Sequence, residues 1–157
     1  MKYLALLVSF LFIVSCNKGP QAINYGSKNC DFCQMTIVDN IHAAQLVTDK
    51  GKVYSFDDMS CMVHFKDGND YQYSHEMVNF IEQPGELISV EEAFFAHSEA
   101  VETPMGGNIT AFKTEAERNQ FLEQNGGKAI TSEEAYALLG ENSGSHDSHG
   151  HHHHHNH

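Results

Sequence analysis

Apolar residues along this chain follow two rhythms, alternation over short stretches and helical spacing over longer ones, broken by turns rich in glycine, proline and asparagine. Ala43 to Thr48 and Lys52 to Phe56 predict two strands joined by Asp49-Lys50-Gly51, a hairpin with glycine where positive φ is needed. Asp57 or Asp58 can cap a helix through Met59, Met62, Val63 and Phe65 to Lys66, stopped by Asp67-Gly68-Asn69. A strand from Met77 to Ile81 then runs into the turn Gln83-Pro84-Gly85. Ala93 to His97 and Asn108 to Phe112 again read as strands, and Thr114-Glu115-Ala116-Glu117 has the capping-box spacing that opens a helix, here to about Gln124. Gly126 and Gly127 end that helix. A short strand near Ala129 and a helix from Thr131 or Ser132 to Leu139 complete the ordered part.

Gly51-Lys52-Val53-Tyr54-Ser55-Phe56 laid over Gly107-Asn108-Ile109-Thr110-Ala111-Phe112, an offset of 56 residues, also superposes Phe65 on Phe121 and one predicted helix on the other. Residue matches and predicted elements agree, so the fold expected is α+β, built from two similar small ββαβ units with antiparallel sheets. The halves cover residues 29–85 and 86–140 of one domain, 29–140.

The ends differ from this body. Lys2 and the apolar run Leu4 to Val14 have the form of an export signal over residues 1–15, too short to span a bilayer as a helix. Ile13-Val14-Ser15-Cys16 resembles the lipobox of bacterial lipoproteins, which implies cleavage before Cys16, lipid on its thiol and an extracytoplasmic protein held to a membrane by that anchor. Residues 16–28 are polar, with Gly19, Pro20 and Gly26, and read as a flexible stalk. Residues 141–157 carry His146, His149, His151, His152, His153, His154, His155 and His157 with no apolar side chain, a disordered tail whose imidazoles suit Cu(II), Zn(II) or Ni(II). Net charge is −12 and only nine residues are Lys or Arg, so the basic patches that bind nucleic-acid phosphates are missing.

The chemistry concentrates in Cys30-Asp31-Phe32-Cys33-Gln34-Met35, three soft sulfur donors in six residues on a loop before the first strand. With Cys16 lipidated, Cys30, Cys33 and Cys61 are left, an odd number that cannot all pair. Exported thiols end as disulfides or as ligands. Two thiolates and a thioether suit Cu(I), whereas zinc asks for four ligands and no second Cys-x-x-Cys exists. Met105, in the turn Thr103-Pro104-Met105-Gly106-Gly107, is a large apolar side chain on a segment that buries little, hence another candidate ligand. His97, eight residues earlier, is a further one. Cys61 reads as a buried helix residue facing the core, and His42, His64 and His75 rank below His97.

Taken together, Cys16, Cys30-Asp31-Phe32-Cys33-Gln34-Met35, Phe56-Asp57-Asp58-Met59-Ser60-Cys61-Met62 and Thr103-Pro104-Met105-Gly106-Gly107 resemble the NosL family of nitrous-oxide reductase accessory lipoproteins. That resemblance implies two ββαβ halves and a Cu(I)-binding, non-catalytic carrier. It also implies an ABC-type assembly complex and nitrous-oxide reductase as partners, and points to Cys30, Cys33, Met35 and Met105 as the metal positions. Gln34 stands where the family motif has glycine. Two other readings stay open on the residues alone. One is a thiol-disulfide oxidoreductase using Cys30 and Cys33, which would want a helix N-terminus beneath the pair. The other is an interaction module stapled by a disulfide or by zinc.

Overall fold

The computed structural model describes residues 19–141. Lipidation at Cys16, the export signal and the tail histidines His146, His149, His151, His152, His153, His154, His155 and His157 all lie outside the described residues. Among the described residues, seven strands and three helices follow in the order β1 (Ala44–Thr48), β2 (Val53–Phe56), α1 (Met59–Asp67), β3 (Tyr73–Asn79), β4 (Leu87–Ser89), β5 (Phe94–His97), β6 (Ile109–Phe112), α2 (Glu115–Asn125), β7 (Lys128–Ile130) and α3 (Ser132–Glu141). No helix among the described residues is long and apolar enough to cross a membrane.

Two antiparallel sheets form, one in the order β2-β1-β3-β4 and one in the order β6-β5-β7. In each, the first strand of a half lies between the second and the third, so the ββαβ unit is used twice. The offset of 56 residues reaches atomic detail. Asp58 accepts the N–H of Cys61 at the start of α1, and Thr114, its equivalent, accepts that of Glu117 at the start of α2. Phe56 and Phe65 hold their ring centroids 5.2 Å apart at 53°, while Phe112 and Phe121 hold theirs 5.1 Å apart at 51°.

Three expectations change. The strand predicted from Met77 to Ile81 begins four residues earlier and ends at Asn79, because β1 pairs with it as far as Thr48 opposite Tyr73, past a register shift. Its first residues, Tyr73, Ser74, His75 and Glu76, are polar or half-exposed, so no apolar alternation betrays them. Leu87–Ser89 is a short strand that pairs with β3, which moves the division between halves from residue 85 to beyond Ser89. The expected stalk is largely folded in. Gln21 N–H donates to Gln45 Oε1 and Gln45 Nε2 donates back to the Gln21 carbonyl, each at 2.8 Å, Ile23 enters the core, and the Tyr25 hydroxyl donates to Asn79 Oδ1.

One core serves both halves. Ile37, Leu46, Phe56 and Met62 from the first half join Phe95, Ile109 and Ile130 from the second, and α1 packs on α3 through Leu139. This places the start of α1 in the middle of the molecule. Met59, Ser60, Cys61, Met62 and Val63 are all buried, five in succession rather than one stripe.

Candidate metal centre

The loop Cys30 to Met35 is closed like a small hairpin. Asn29 and Thr36 form an antiparallel bridge, Cys30 N–H donates to the Met35 carbonyl at 2.8 Å, and Ile37 N–H donates to the Lys28 carbonyl at 2.9 Å. Asp31 then fastens the loop to the edge strand β2, its N–H donating to the Ser55 carbonyl while its Oδ2 accepts the Ser55 N–H, at 2.9 and 2.8 Å. Lys28 Nζ lies 2.9 Å from the same carboxylate oxygen. Gln34 closes the tight turn with φ of 66°, the left-handed region that glycine enters freely and other residues enter at a cost of about 1–2 kcal/mol. Gln34 thus holds a backbone shape that glycine would take without that cost.

That fastening brings the Cys30 and Cys33 sulfurs under the loop and against α1. The sulfurs of Cys30, Cys33 and Cys61 all lie within 4.8 Å of one another. Among the described residues this is the one grouping of cysteine, histidine or acidic ligand atoms close enough to hold an ion. None of the three cysteines is in a disulfide. Cys30 and Cys61 are fully buried and Cys33 is half-buried, whereas Met35 on the loop is 52% exposed.

Cys61 is where the sequence reading falls short. It is a core residue, as expected, and it also completes the thiol trio. With the first half of α1 buried all round, helical spacing gives no way to tell a core-facing cysteine from one that faces the loop. The remaining signal was the count of three thiols, too few donors in the hexapeptide alone for an all-thiolate site.

Hydrogen bonding divides the charge unequally within the trio. The Cys61 thiol donates to the Cys30 sulfur, which outweighs burial and, with the N–H groups of Phe32, Asp57 and Cys33, lowers the Cys30 pKa to about 5. The same bond pushes Cys61 up, helped by burial, and Cys33 is raised chiefly by burial. Of the three, Cys30 is the thiol whose ionisation is favoured, and Cys33 and Cys61 are the ones whose ionisation is opposed. Beside it, burial raises the Asp57 carboxyl to about 6, with the charges of Asp58 and Cys30 adding to the effect, and its Oδ1 has no hydrogen-bond partner.

Met105 belongs to the second half, in the β5–β6 connection. Asp58, 2% exposed, joins it to α1: Oδ1 accepts the Cys61 N–H at 3.1 Å and Oδ2 accepts the Met105 N–H at 2.8 Å. One carboxylate thus separates the backbone of Met105 from that of Cys61. The Met105 side chain is 41% exposed, as its turn predicts. Gly107 fixes the same turn from below, since a Cβ there would lie 2.6 Å from Leu139 Cδ2 and 2.7 Å from Ser60 Oγ. His97 sits at the end of β5 with Nε2 4.0 Å from Glu99 Oε1 and is outside the trio. The other histidines have neighbours of their own: Asp39 and Thr110 for His42, Phe32 for His64 and Ser74 for His75.

These donors are sulfur throughout and graded from buried thiol to exposed thioether, an arrangement for a soft, low-valent ion rather than for a hard cation. Comparison with known proteins agrees with this geometry. Among solved structures, one described as the copper chaperone NosL from Shewanella denitrificans matches with a TM-score of 0.64 and 25% identity, over 74% of this chain and 95% of that chain. No curated protein matches. The NosL family model matches residues 22–137, spanning the loop, α1 and the Met105 turn, and the chain belongs to the NosL family.

Proposed function

We propose that the protein is a membrane-anchored, non-catalytic Cu(I) carrier that passes its ion on for assembly of the copper centres of nitrous-oxide reductase, by way of an ABC-type complex. The observation that carries this reading is the convergence of thiols beneath a loop that also shows a thioether to solvent. Cys33, Met35 and Met105 are the donors solvent can reach, and Cys30, whose pKa is lowered to about 5, is fully buried. A carrier must hold its cargo firmly and still let an incoming ligand in, and a shell with exposed, neutral thioethers meets both needs. The described relative is itself a copper chaperone. Lipid on Cys16 would keep the carrier at the membrane, and the tail histidines would collect Cu(II), Zn(II) or Ni(II) from dilute solution.

Thiol-disulfide exchange fits less well. The sulfur with the lowered pKa, Cys30, is fully buried, and the pair lies in a hairpin loop rather than at a helix N-terminus.

The test is Cu(I) titration of the reduced protein lacking residues 141–157, against a competing chelator. Tight 1:1 binding is expected, weakened at least 100-fold by Cys33→Ser, with Met35→Leu slowing release of the ion to an external thiol. Absence of tight binding, or a Cys33→Ser variant that binds as well as its parent, would overturn the reading. Delivery itself is checked by copper content of nitrous-oxide reductase in cells that lack the carrier.

A further inference from the structure

The site holds more sulfur than one ion can use. Three thiols form it, and two thioethers stand on segments tied to it, Met35 on the loop and Met105 on the turn that Asp58 joins to α1, whereas Cu(I) takes two or three soft ligands. They are also layered: Cys30 and Cys61 are 0% exposed, Cys33 is intermediate, and Met35 and Met105 are 52% and 41% exposed. We infer that the protein has two copper positions sharing the Cys33 sulfur, an outer one with the exposed thioethers and an inner one in which Cys61 joins Cys30 and Cys33 as a third thiolate. This deepens the carrier reading above and rests on it.

The inner position is nearly formed. An ion with metal–thiolate bonds of about 2.3 Å in trigonal geometry keeps its sulfurs about 4 Å apart, so a trio within 4.8 Å closes on it with a contraction under about 1 Å. The sulfurs are held from two sides. Asp31 and the Asn29–Thr36 bridge hold the loop that carries Cys30 and Cys33, and the Asp58 cap holds the turn of α1 that carries Cys61. Among the described residues no histidine or carboxylate joins the grouping, so there zinc would lack its usual fourth ligand while a three-coordinate ion would not.

Passage between the two positions is an exchange of ligands with no change of oxidation state. Bonds from the ion to thioether sulfur break, bonds to Cys30 and Cys61 form, and each thiol that joins gives its proton to solvent. Cys33 stays bonded throughout, so the ion is never without a thiolate. The inner position gains charge and loses access, which makes it the place of storage, and the outer one the place of loading and release.

Two measurements decide the matter. Cd(II), as a spectroscopic probe of the unaltered reduced protein without residues 141–157, should give thiolate-to-metal absorption of three thiolates, and an intensity of one or two would refute the inner position. In Cu(I) titrations, the combined Met35→Leu, Met105→Leu protein should keep 1:1 binding within about tenfold of the parent, and adding Cys61→Ser to it should cost at least 100-fold more. Loss of binding in the methionine variant alone, or indifference to Cys61→Ser, overturns the two-position scheme but leaves the carrier reading intact if the parent binds. A parent that does not bind Cu(I) sinks the carrier reading itself.

Discussion

Asp57 is buried beside Cys30 with one carboxylate oxygen unpartnered, and the stability of the metal-free fold should register it. Its carboxyl is raised to about 6 in the folded chain, above the ordinary aspartate value near 4, so the folded state binds the proton more tightly than the unfolded state does. Its contribution therefore favours the fold at low pH and is lost as pH rises from about 4 through about 6. Asp57→Asn removes the term. Denaturant unfolding across that range should show the variant gaining on its parent by on the order of 1–2 kcal/mol, with the difference level above about pH 7. A gap that does not change with pH would contradict the assignment. At Gln34 the backbone sets the outcome. Gln34→Gly should be neutral or slightly stabilising, whereas Gln34→Val should cost about 1–2 kcal/mol, both read from chemical unfolding.

Among the elements, the turn that carries Met105 depends on close contact with two helices. Gly107 lies where any Cβ would meet Leu139 of α3 and Ser60 of α1. Gly107→Ala should lower stability by about 1–3 kcal/mol, while Gly106→Ala, which meets no atom within 4 Å but has φ of 73°, should cost only the backbone strain of about 1–2 kcal/mol. Paired thermal melts would show whether contact or conformation governs this turn. Legibility in the sequence followed the same physics. Local chemistry marked β1, β2, β5, β6 and all three helices to within a residue or two, because caps and turns declare themselves nearby. Polar residues concealed the start of β3, and three residues were too few to reveal β4. The loop thiols and the exposed Met105 were legible from spacing and turn composition. The approach of Cys61 was not, since it depends on how Asp31 and Asp58 draw separate segments together.

In the whole molecule the repeat does more than enlarge the core. The first half supplies the thiols and the second half, through the longer β5–β6 connection, supplies the Met105 turn, so the candidate site exists only when both are folded together. The N-terminal segment belongs to this unit as well. A protein lacking residues 1–18 is the reference for a longer deletion. Continuing the deletion through Tyr25 should cost about 3–5 kcal/mol, because it exposes the surface covered by Ile23 and leaves buried Gln45 and Asn79 short of partners. Equal stability of the two truncations would return Gln21 to Tyr25 to the role of a tether.

Asp58 ties these scales together, since its two oxygens serve the first turn of α1 and the backbone of Met105. Loosening one grip loosens the other. Amide hydrogens of Cys61 and Met105 should then exchange with deuterium as a single cooperative unit, so that the loosening of the Met105 turn and the fraying of the helix start are one motion.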